Sequence, residues 1–135
     1  MNPNDLLFVY LSVLRPVLDF AAPTYHPLLT VTQTAALEAL QRKAYKIIYG
    51  SDVSYLEALA CSNTDTLQDR RQKLTENFAI KTQKNPRYTD GWFPKKPPQH
   101  YLTRKTRPFL EIQPRTERMK RNPITYMRNF LNDQS

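Results

Sequence analysis

The stretch "LEALQRKAYKIIYG", residues 37–50, decides the fold class of this 135-residue chain. Its apolar residues recur at the spacing of one helix face, which predicts an α-helix from about residue 32 to residue 49 with Gly50 as its stop. The apolar stripe consists of Leu37, Leu40, Ala44, Ile47 and Ile48. The opposite face carries Glu38, Arg42, Lys43 and Lys46. This segment therefore predicts an amphipathic helix with a cluster of cations on one side.

A second amphipathic segment, residues 5–21, precedes it and predicts a first helix. Its stripe comprises Leu6, Leu7, Tyr10, Val13, Leu14, Val17 and Leu18. Because proline lacks a backbone donor, Pro16 should bend this helix, and Pro23 and Pro27 should end it. We expect the stripe to be mostly buried, so that the helix forms an internal strut, and we expect Arg15 to make a structural contact.

Two further helices complete the predicted bundle. A short helix over residues 55–59 is followed by a longer one that begins after Thr66, a favourable N-cap, and ends at about residue 83. The longer helix contains two adjacent arginines, which point about 100° apart on a helix. We expect one of them, Arg71, to pair with a carboxylate such as Asp19.

The composition changes after residue 84. Residues 85–135 hold eleven of the 20 Lys and Arg, four of the 12 Asp and Glu, and seven of the 11 prolines. Since proline interrupts regular structure, this part predicts a basic, irregular tail with a short C-terminal helix from about Pro123 as its regular element. The predicted fold is therefore a small all-α bundle of about four helices over residues 1–84, followed by a basic, proline-rich tail.

The composition also limits the classes of function. A formal charge of +8 and a pI of about 9.7 favour anionic partners, either nucleic acid or an acidic membrane surface. One cysteine, Cys61, excludes an internal disulfide, and together with His26 and His100 it is too few to hold zinc, so no metal or other cofactor is expected. The apolar stretch at residues 6–29 is interrupted by charges and prolines, so neither a membrane span nor a signal peptide is expected.

Four motifs in the first part of the chain occur together, in order and at regular spacing. They are Tyr-x-Ser-x-x-Arg-Pro-Val-Leu-Asp-Phe, Leu-x-x-x-Gln-Arg-x-Ala-x-x-Ile-Ile-x-Gly, Tyr-x-Glu-Ala-Leu and Leu-x-x-Arg-Arg-x-x-Leu. The residues that carry them are Tyr10, Ser12, Arg15, Pro16, Val17, Leu18, Asp19 and Phe20; Leu37, Gln41, Arg42, Ala44, Ile47, Ile48 and Gly50; Tyr55, Glu57, Ala58 and Leu59; and Leu67, Arg70, Arg71 and Leu74. Through them, residues 6–84 resemble the C-terminal region of reverse transcriptases from jockey-like non-LTR retrotransposons.

The resemblance implies a helical thumb, which holds a primer–template duplex by its backbone while the palm performs the chemistry. That chemistry needs two metal ions held by paired carboxylates, and no two acidic residues are adjacent in this chain. We therefore expect no polymerase activity from these residues. The chain departs from the family at Tyr25, where the family often has Trp, and it lacks the Cys-Cys-His-Cys knuckle of some relatives.

The candidate nucleic-acid contacts are Arg42, Lys43, Lys46, Lys95, Lys96, Arg104, Lys105, Arg107, Arg118, Lys120 and Arg121. Such side chains contact phosphates without reading bases. The resemblance implies that the partner is RNA or an RNA–DNA duplex. Exposed cations are also common on ordinary solvated surfaces. Two other interpretations remain open. One is a protein-interaction module that binds a protein partner through the apolar face of the first helix, and the other is a relic without function.

Overall fold

The computed structural model of the protein describes residues 1–97 and 107–134, and it confirms the predicted all-α fold. The α-helices are α1 (Pro3–Val9), α2 (Arg15–Asp19), α3 (Ala22–Tyr25), α4 (Val31–Tyr49), α5 (Tyr55–Ser62), α6 (Leu67–Gln83), α7 (Pro86–Trp92), α8 (Glu117–Lys120) and α9 (Pro123–Asp133). A π-helical turn, Tyr10–Leu14, joins α1 to α2, and a 3-10 turn, His26–Leu28, follows α3. Within the described ranges, extended pairing is limited to an antiparallel bridge between Lys95 and Phe109.

Local signals in the sequence set the bounds of α4 and α5. The Thr30 hydroxyl accepts a hydrogen bond from the Gln33 N–H and the Gln33 side chain accepts one from the Thr30 N–H, which makes a capping box at the start of α4. Ser54 and Glu57 form the same arrangement at the start of α5. Gly50 ends α4 with a φ of 90°, a conformation that other residues adopt only with strain.

Pro16 perturbs the first helix through a π-helical turn. The chain forms this turn at Tyr10–Leu14, immediately before Arg15, and the Arg15 N–H donates to the Tyr10 carbonyl five residues earlier. A π turn shifts the hydrogen-bond register by one residue, which accommodates a proline that has no N–H to donate. The helical run therefore continues through α2 to Asp19.

The chain divides into two compact units, which we call unit 1 and unit 2. Unit 1 contains Met1–Ala22 and Leu29–Gln72, and unit 2 contains Pro23–Leu28 and Lys73–Ser135. The division therefore falls inside α6 and not between residues 84 and 85, where the composition changes. The reason is that Ala79 and Ile80, in the second half of α6, pack with aromatic residues that follow them in the chain.

Unit 1 combines an apolar core with a buried hydrogen-bond network. The core residues are Tyr10, Tyr45, Ile48, Ala58 and Leu59. Gln41 is fully buried, and its side-chain oxygen accepts from the Tyr10 hydroxyl at 2.8 Å. Its amide nitrogen donates to the Tyr55 hydroxyl at 2.9 Å and to the Asp65 carbonyl at 3.2 Å. Because buried polar groups need such partners, these bonds hold the first helical run, α4 and α5 in one arrangement.

The prediction that the apolar stripe of the first helix is mostly buried was wrong. Leu6, Leu7, Tyr10 and Leu11 do pack in the core of unit 1. Val13, Leu14 and Val17, however, are 58%, 53% and 73% exposed. The physical reason is the π turn, which rotates the residues after it relative to those before it. A stripe that is continuous at the α-helical period therefore cannot face α4 along its whole length.

Unit 2 has its own core, formed largely by residues predicted to belong to an irregular tail. The core residues are Ala79, Phe93, Phe109, Met127 and Leu131. The Arg128 guanidinium donates to the carbonyls of Trp92 and Leu110, and the Asn132 side chain bonds both backbone groups of Phe109. The described part of residues 85–135 thus contains the three helices α7, α8 and α9 and the bridge between Lys95 and Phe109.

Candidate nucleic-acid interface

Three of the predicted cations lie together on the exposed face of α4. Arg42, Lys43 and Lys46 fall within about one helical turn, and all three are exposed. None of them forms an ion pair with any residue that the structure describes. Their charge is therefore not neutralised by a neighbouring carboxylate in that part of the chain.

Arg42 and Lys46 line a cleft between α4 and α5, whereas Lys43 lies outside it. The cleft has a volume of about 210 Å³, and its lining includes Arg42, Tyr45, Lys46, Ser51, Ser54 and Tyr55. The guanidinium carbon of Arg42 lies 5.0 Å from the centre of the Tyr55 ring. This cation–π contact holds the guanidinium over the ring and limits its orientations.

The loop between the two helices determines which groups reach the cleft. The Glu57 carboxylate accepts the Ser54 N–H at 2.9 Å, and the Ser54 hydroxyl accepts the Glu57 N–H at 3.3 Å, so both side chains serve the α5 cap. Asp52 is exposed, and neither it nor Glu57 belongs to the cleft lining. Ser51 does line the cleft, and its hydroxyl makes no hydrogen bond to any residue that the structure describes.

The Tyr55 ring beneath Arg42 is fixed by hydrogen bonds. Its hydroxyl donates to the Glu38 carboxylate and accepts from the Gln41 amide. Burial, and then the bond to Glu38, raises the pKa of Tyr55 well above its usual value, so the hydroxyl stays protonated at neutral pH. Glu38 also accepts the N–H of Leu67, the first residue of α6, at 3.4 Å. The same buried network thus supports the cleft and the start of α6.

Several predicted tail cations are paired with carboxylates. Lys96 and Arg107 lie 3.6 Å and 2.9 Å from the same Glu111 oxygen. Lys120 lies 2.5 Å from Glu117. The hydrogen bond from Arg107 is the main cause that lowers the pKa of Glu111, and the bond from Lys120 does the same for Glu117. These three cations therefore have an anionic neighbour already.

The other predicted tail cations differ from these. Lys95, Arg118 and Arg121 are exposed and form no ion pair within residues 1–97 and 107–134. Arg104 and Lys105 lie outside the described residues. The structure thus brings together Arg42, Lys43 and Lys46 in unit 1, and Lys96 and Arg107 around Glu111 in unit 2.

Two arginines of the motifs have structural contacts in unit 1. Asp19 pairs with Arg70, whose Nε lies 3.2 Å from the carboxylate, and not with Arg71 as predicted. The reason is orientation, because Arg71 is fully buried while Arg70 stays at the surface. Arg15 donates to the Asp65 carbonyl at 3.3 Å, which is a structural contact of the predicted kind.

Ser51 and Tyr55 were not among the predicted site residues. The signal that could have found them is the Ser-x-x-Glu capping box at residues 54–57, which starts a helix just after α4 ends. The described part of the chain contains no group of three His, Cys, Asp or Glu that could hold a metal ion. In the same residues no single helix could span a membrane; only the bent pair Pro3–Asp19 and Ala22–Leu28, taken together, has the length and composition for it.

Comparison with known proteins adds no assignment. The chain matches no protein-family model, no curated protein and no solved structure. A function must therefore be argued from the residues of this chain and from the motifs that they form.

Proposed function

We propose that the chain is a non-catalytic C-terminal fragment of a reverse transcriptase from a non-LTR mobile element, which binds nucleic-acid backbone without sequence preference. The observation that carries this proposal is the cation cluster of α4. Arg42, Lys43 and Lys46 are exposed and adjacent, and they have no ion-pair partner in the described chain. Cations at fixed spacing on one helix face contact successive phosphates but read no bases. RNA or an RNA–DNA duplex is the partner.

The placement of the motif residues supports the family part of the proposal. Tyr10, Gln41 and Tyr55 come from three of the four motifs, and they form one chain of hydrogen bonds. Asp19 and Arg70 come from the first and the fourth motif, and they form an ion pair. This arrangement is expected if the four motifs specify one helical scaffold.

The positions of the acidic residues support the part of the proposal that calls the fragment non-catalytic. Phosphoryl transfer by a polymerase needs carboxylates that hold two metal ions about 4 Å apart. In this sequence no two acidic residues are adjacent, and Glu38 is occupied by hydrogen bonds from Tyr55 and Leu67. These residues can hold a nucleic-acid strand, but they do not supply the groups that extend it.

The test is the salt dependence of binding to a short RNA–DNA hybrid, measured by fluorescence anisotropy. If about five phosphates are engaged, the logarithm of the affinity should fall against the logarithm of the salt concentration with a slope of about −4 to −5. Hybrids of unrelated sequence should bind with equal affinity. Absence of binding at about 50 mM salt, or a strong preference for one sequence, would contradict the proposal.

A second candidate function is a protein-interaction module, and one observation favours it. The exposed positions between residues 8 and 20 are Phe8, Val9, Ser12, Val13, Leu14, Pro16, Val17 and Phe20, none of which is charged. Monomeric soluble proteins rarely expose a large contiguous apolar surface. The partner of such a face must itself be apolar and uncharged there. In the family that the motifs resemble, the catalytic palm is the domain that would cover this face, so this candidate takes the palm as its partner.

The test of the second candidate supplies the palm of a jockey-like reverse transcriptase as a separate polypeptide. The chain should bind it in isothermal titration, and the double variant Val13→Ser, Val17→Ser should bind at least about tenfold more weakly. Both valines are exposed, so the variant should keep its stability within about 0.5 kcal/mol. Binding of RNA–DNA hybrid without any binding of the palm would reject this candidate and leave the first one standing.

A further inference from the structure

The cleft between α4 and α5 supports a more specific assignment than the cation cluster as a whole. We infer that this cleft holds one phosphate group of a nucleic-acid backbone, with Arg42 and Lys46 as its cationic partners and Ser51 as a hydroxyl donor. The inference rests on the proposed nucleic-acid binding. It adds a fixed point of contact, which sets where the strand lies on α4.

The size of the cleft suits a single anionic group. Its volume of about 210 Å³ is below the roughly 300 Å³ at which ordinary small-molecule pockets begin. One phosphate group fits inside such a space. The sugars and bases then remain outside the cleft, which agrees with a contact that positions a strand without reading its sequence.

The lining supplies both charge and hydrogen-bond donors. Arg42 presents a planar fork of donors that matches phosphate oxygens, and its contact with the Tyr55 ring restricts its orientation before any anion binds. Lys46 lies one turn further along the same helix face and adds a second cation. Ser51 adds a hydroxyl that bonds no other residue in the described chain.

Two acidic residues lie near the cleft but do not belong to its lining. The Glu57 carboxylate is held at the α5 cap by the Ser54 N–H, and Asp52 is exposed outside the lining. Both still offset part of the long-range field of the three α4 cations. Attraction of a phosphate to this region therefore depends on short-range contacts in the cleft more than on net charge.

Lys43 provides a matched comparison within the same helix. It lies three residues before Lys46, has the same charge and is equally classed as exposed, but it does not line the cleft. If the whole basic surface attracts nucleic acid, Lys43 and Lys46 should contribute equally. If the cleft holds a phosphate, Lys46 should contribute more.

The experiment measures binding of a short RNA–DNA hybrid by fluorescence anisotropy at several salt concentrations for three single variants of the full chain. Lys46→Gln should weaken binding about tenfold and reduce the salt slope by about one. Lys43→Gln should weaken it less than about threefold. Ser51→Leu fills the cleft without changing the net charge, and it should weaken binding about as much as Lys46→Gln.

The outcomes separate the cleft from the proposed function. Equal losses for Lys46→Gln and Lys43→Gln, with Ser51→Leu unchanged, would overturn the cleft assignment while backbone binding stands. Failure of the unmodified chain to bind the hybrid would overturn both. Circular dichroism checks that the variants are folded. A second measurement needs no variant: on addition of the hybrid, the amide chemical shifts of residues 51–55 should change in the unmodified chain. Shift changes confined to other residues would overturn the assignment.

Discussion

Helix α4 and the tail of the chain both carry cations, but the groups around these cations differ. On α4, the three cations have no ion-pair partner in the described residues. In the described tail, Glu111 contacts Lys96 and Arg107, and Glu117 contacts Lys120. The tail has the larger formal charge, yet a part of it is already paired within the protein.

A count of charges is therefore a poor guide to a binding surface. An exposed ion pair is worth about 0–1 kcal/mol, so a phosphate can compete for Lys96 or Arg107, but it must first displace Glu111. The α4 cations require no such exchange. They also project from a helix whose opposite face is held by the buried Gln41. Per charge, α4 should therefore contribute more to nucleic-acid binding than the tail.

Replacing the buried Gln41 should lower the stability of the chain more than any of the surface substitutions, because α4 would become less ordered. Gln41→Ala leaves the buried Tyr10 hydroxyl without its partner. The Tyr55 hydroxyl and the Asp65 carbonyl lose one hydrogen bond each and keep those with Glu38 and Arg15. The free energy of unfolding should fall by about 2 to 4 kcal/mol, because an unsatisfied buried hydroxyl and a lost side chain both destabilise. Urea-induced unfolding followed by circular dichroism measures it.

The control for this variant is Lys43→Ala on the exposed face of the same helix, which should change stability by less than about 0.5 kcal/mol. A loss below about 1 kcal/mol for Gln41→Ala would show that the buried network does not hold α4 in place. The proposed advantage of α4 over the tail would then lose its structural basis.

Three triple variants, each with three cations changed to Gln, should lose different amounts of affinity for nucleic acid. The sets are Arg42, Lys43 and Lys46 on α4; Lys95, Arg118 and Arg121, the tail cations without ion pairs in the described chain; and Lys96, Arg107 and Lys120, the paired ones. Affinity for an RNA–DNA hybrid should fall by about a hundredfold, tenfold and threefold in that order.

The physical reason for this order is the work needed to bring each cation to a phosphate, which is least for an ordered, unpaired side chain. Fluorescence anisotropy at a single salt concentration is sufficient to rank the sets. Equal losses would contradict this order, because they would mean that only the total charge of the chain matters.

The bounds of α4 and α6 could be predicted because their signals are local, whereas Pro23, expected to end the first helix, lies inside α3. The Thr66 hydroxyl accepts the Asp69 N–H at 3.1 Å, which is the predicted cap of α6, and Gly50 ends α4 as expected. The exposure of Val13 and Val17 could not be predicted. The apolar pattern of residues 5–21 fits an uninterrupted α-helix, and nothing in it shows that the chain inserts a π turn.

The candidate interface was predictable only in part, for a similar reason. The cations of α4 are visible in the sequence, but the cleft forms only when α5 docks beside α4, which is a tertiary event. The pairing of Glu111 with Lys96 depends on the bridge between Lys95 and Phe109, which joins residues far apart in the chain. The choice between Arg70 and Arg71 for Asp19 depends on which side of α6 faces the interior, and adjacent positions leave that open.

A smaller effect is expected when two paired tail cations are released from their carboxylate. Glu111→Gln removes the carboxylate that contacts Lys96 and Arg107, so both become as available as the α4 cations. Affinity for the RNA–DNA hybrid should rise about threefold, with a steeper salt dependence. Asp90→Asn is the matched control, because Asp90 is exposed and has no ion pair in the described residues, and its effect should be smaller. Equal effects would attribute the gain to net charge alone.

The smallest effect concerns the ionisation of Glu111, which reports the pairing directly. The hydrogen bond from Arg107 is the largest cause of the lowered pKa of Glu111, and Lys96 contributes less. Nuclear magnetic resonance titration of the side-chain carboxyl should therefore give a pKa below the ordinary value of 4.5. Arg107→Gln should raise it more than Lys96→Gln does, and the reverse order would contradict the 2.9 Å and 3.6 Å contacts.

The sign of this shift fixes the pH range in which the pairing matters. A carboxylate whose pKa is lowered by folding stabilises the folded state above its ordinary pKa, and this contribution is lost as the pH falls through the lowered value. For Glu111 the loss should occur below about pH 4.5. Near neutral pH the pairs with Arg107 and Lys96 stay formed, so the tail should remain the weaker of the two cationic regions throughout the range in which hybrid binding is measured.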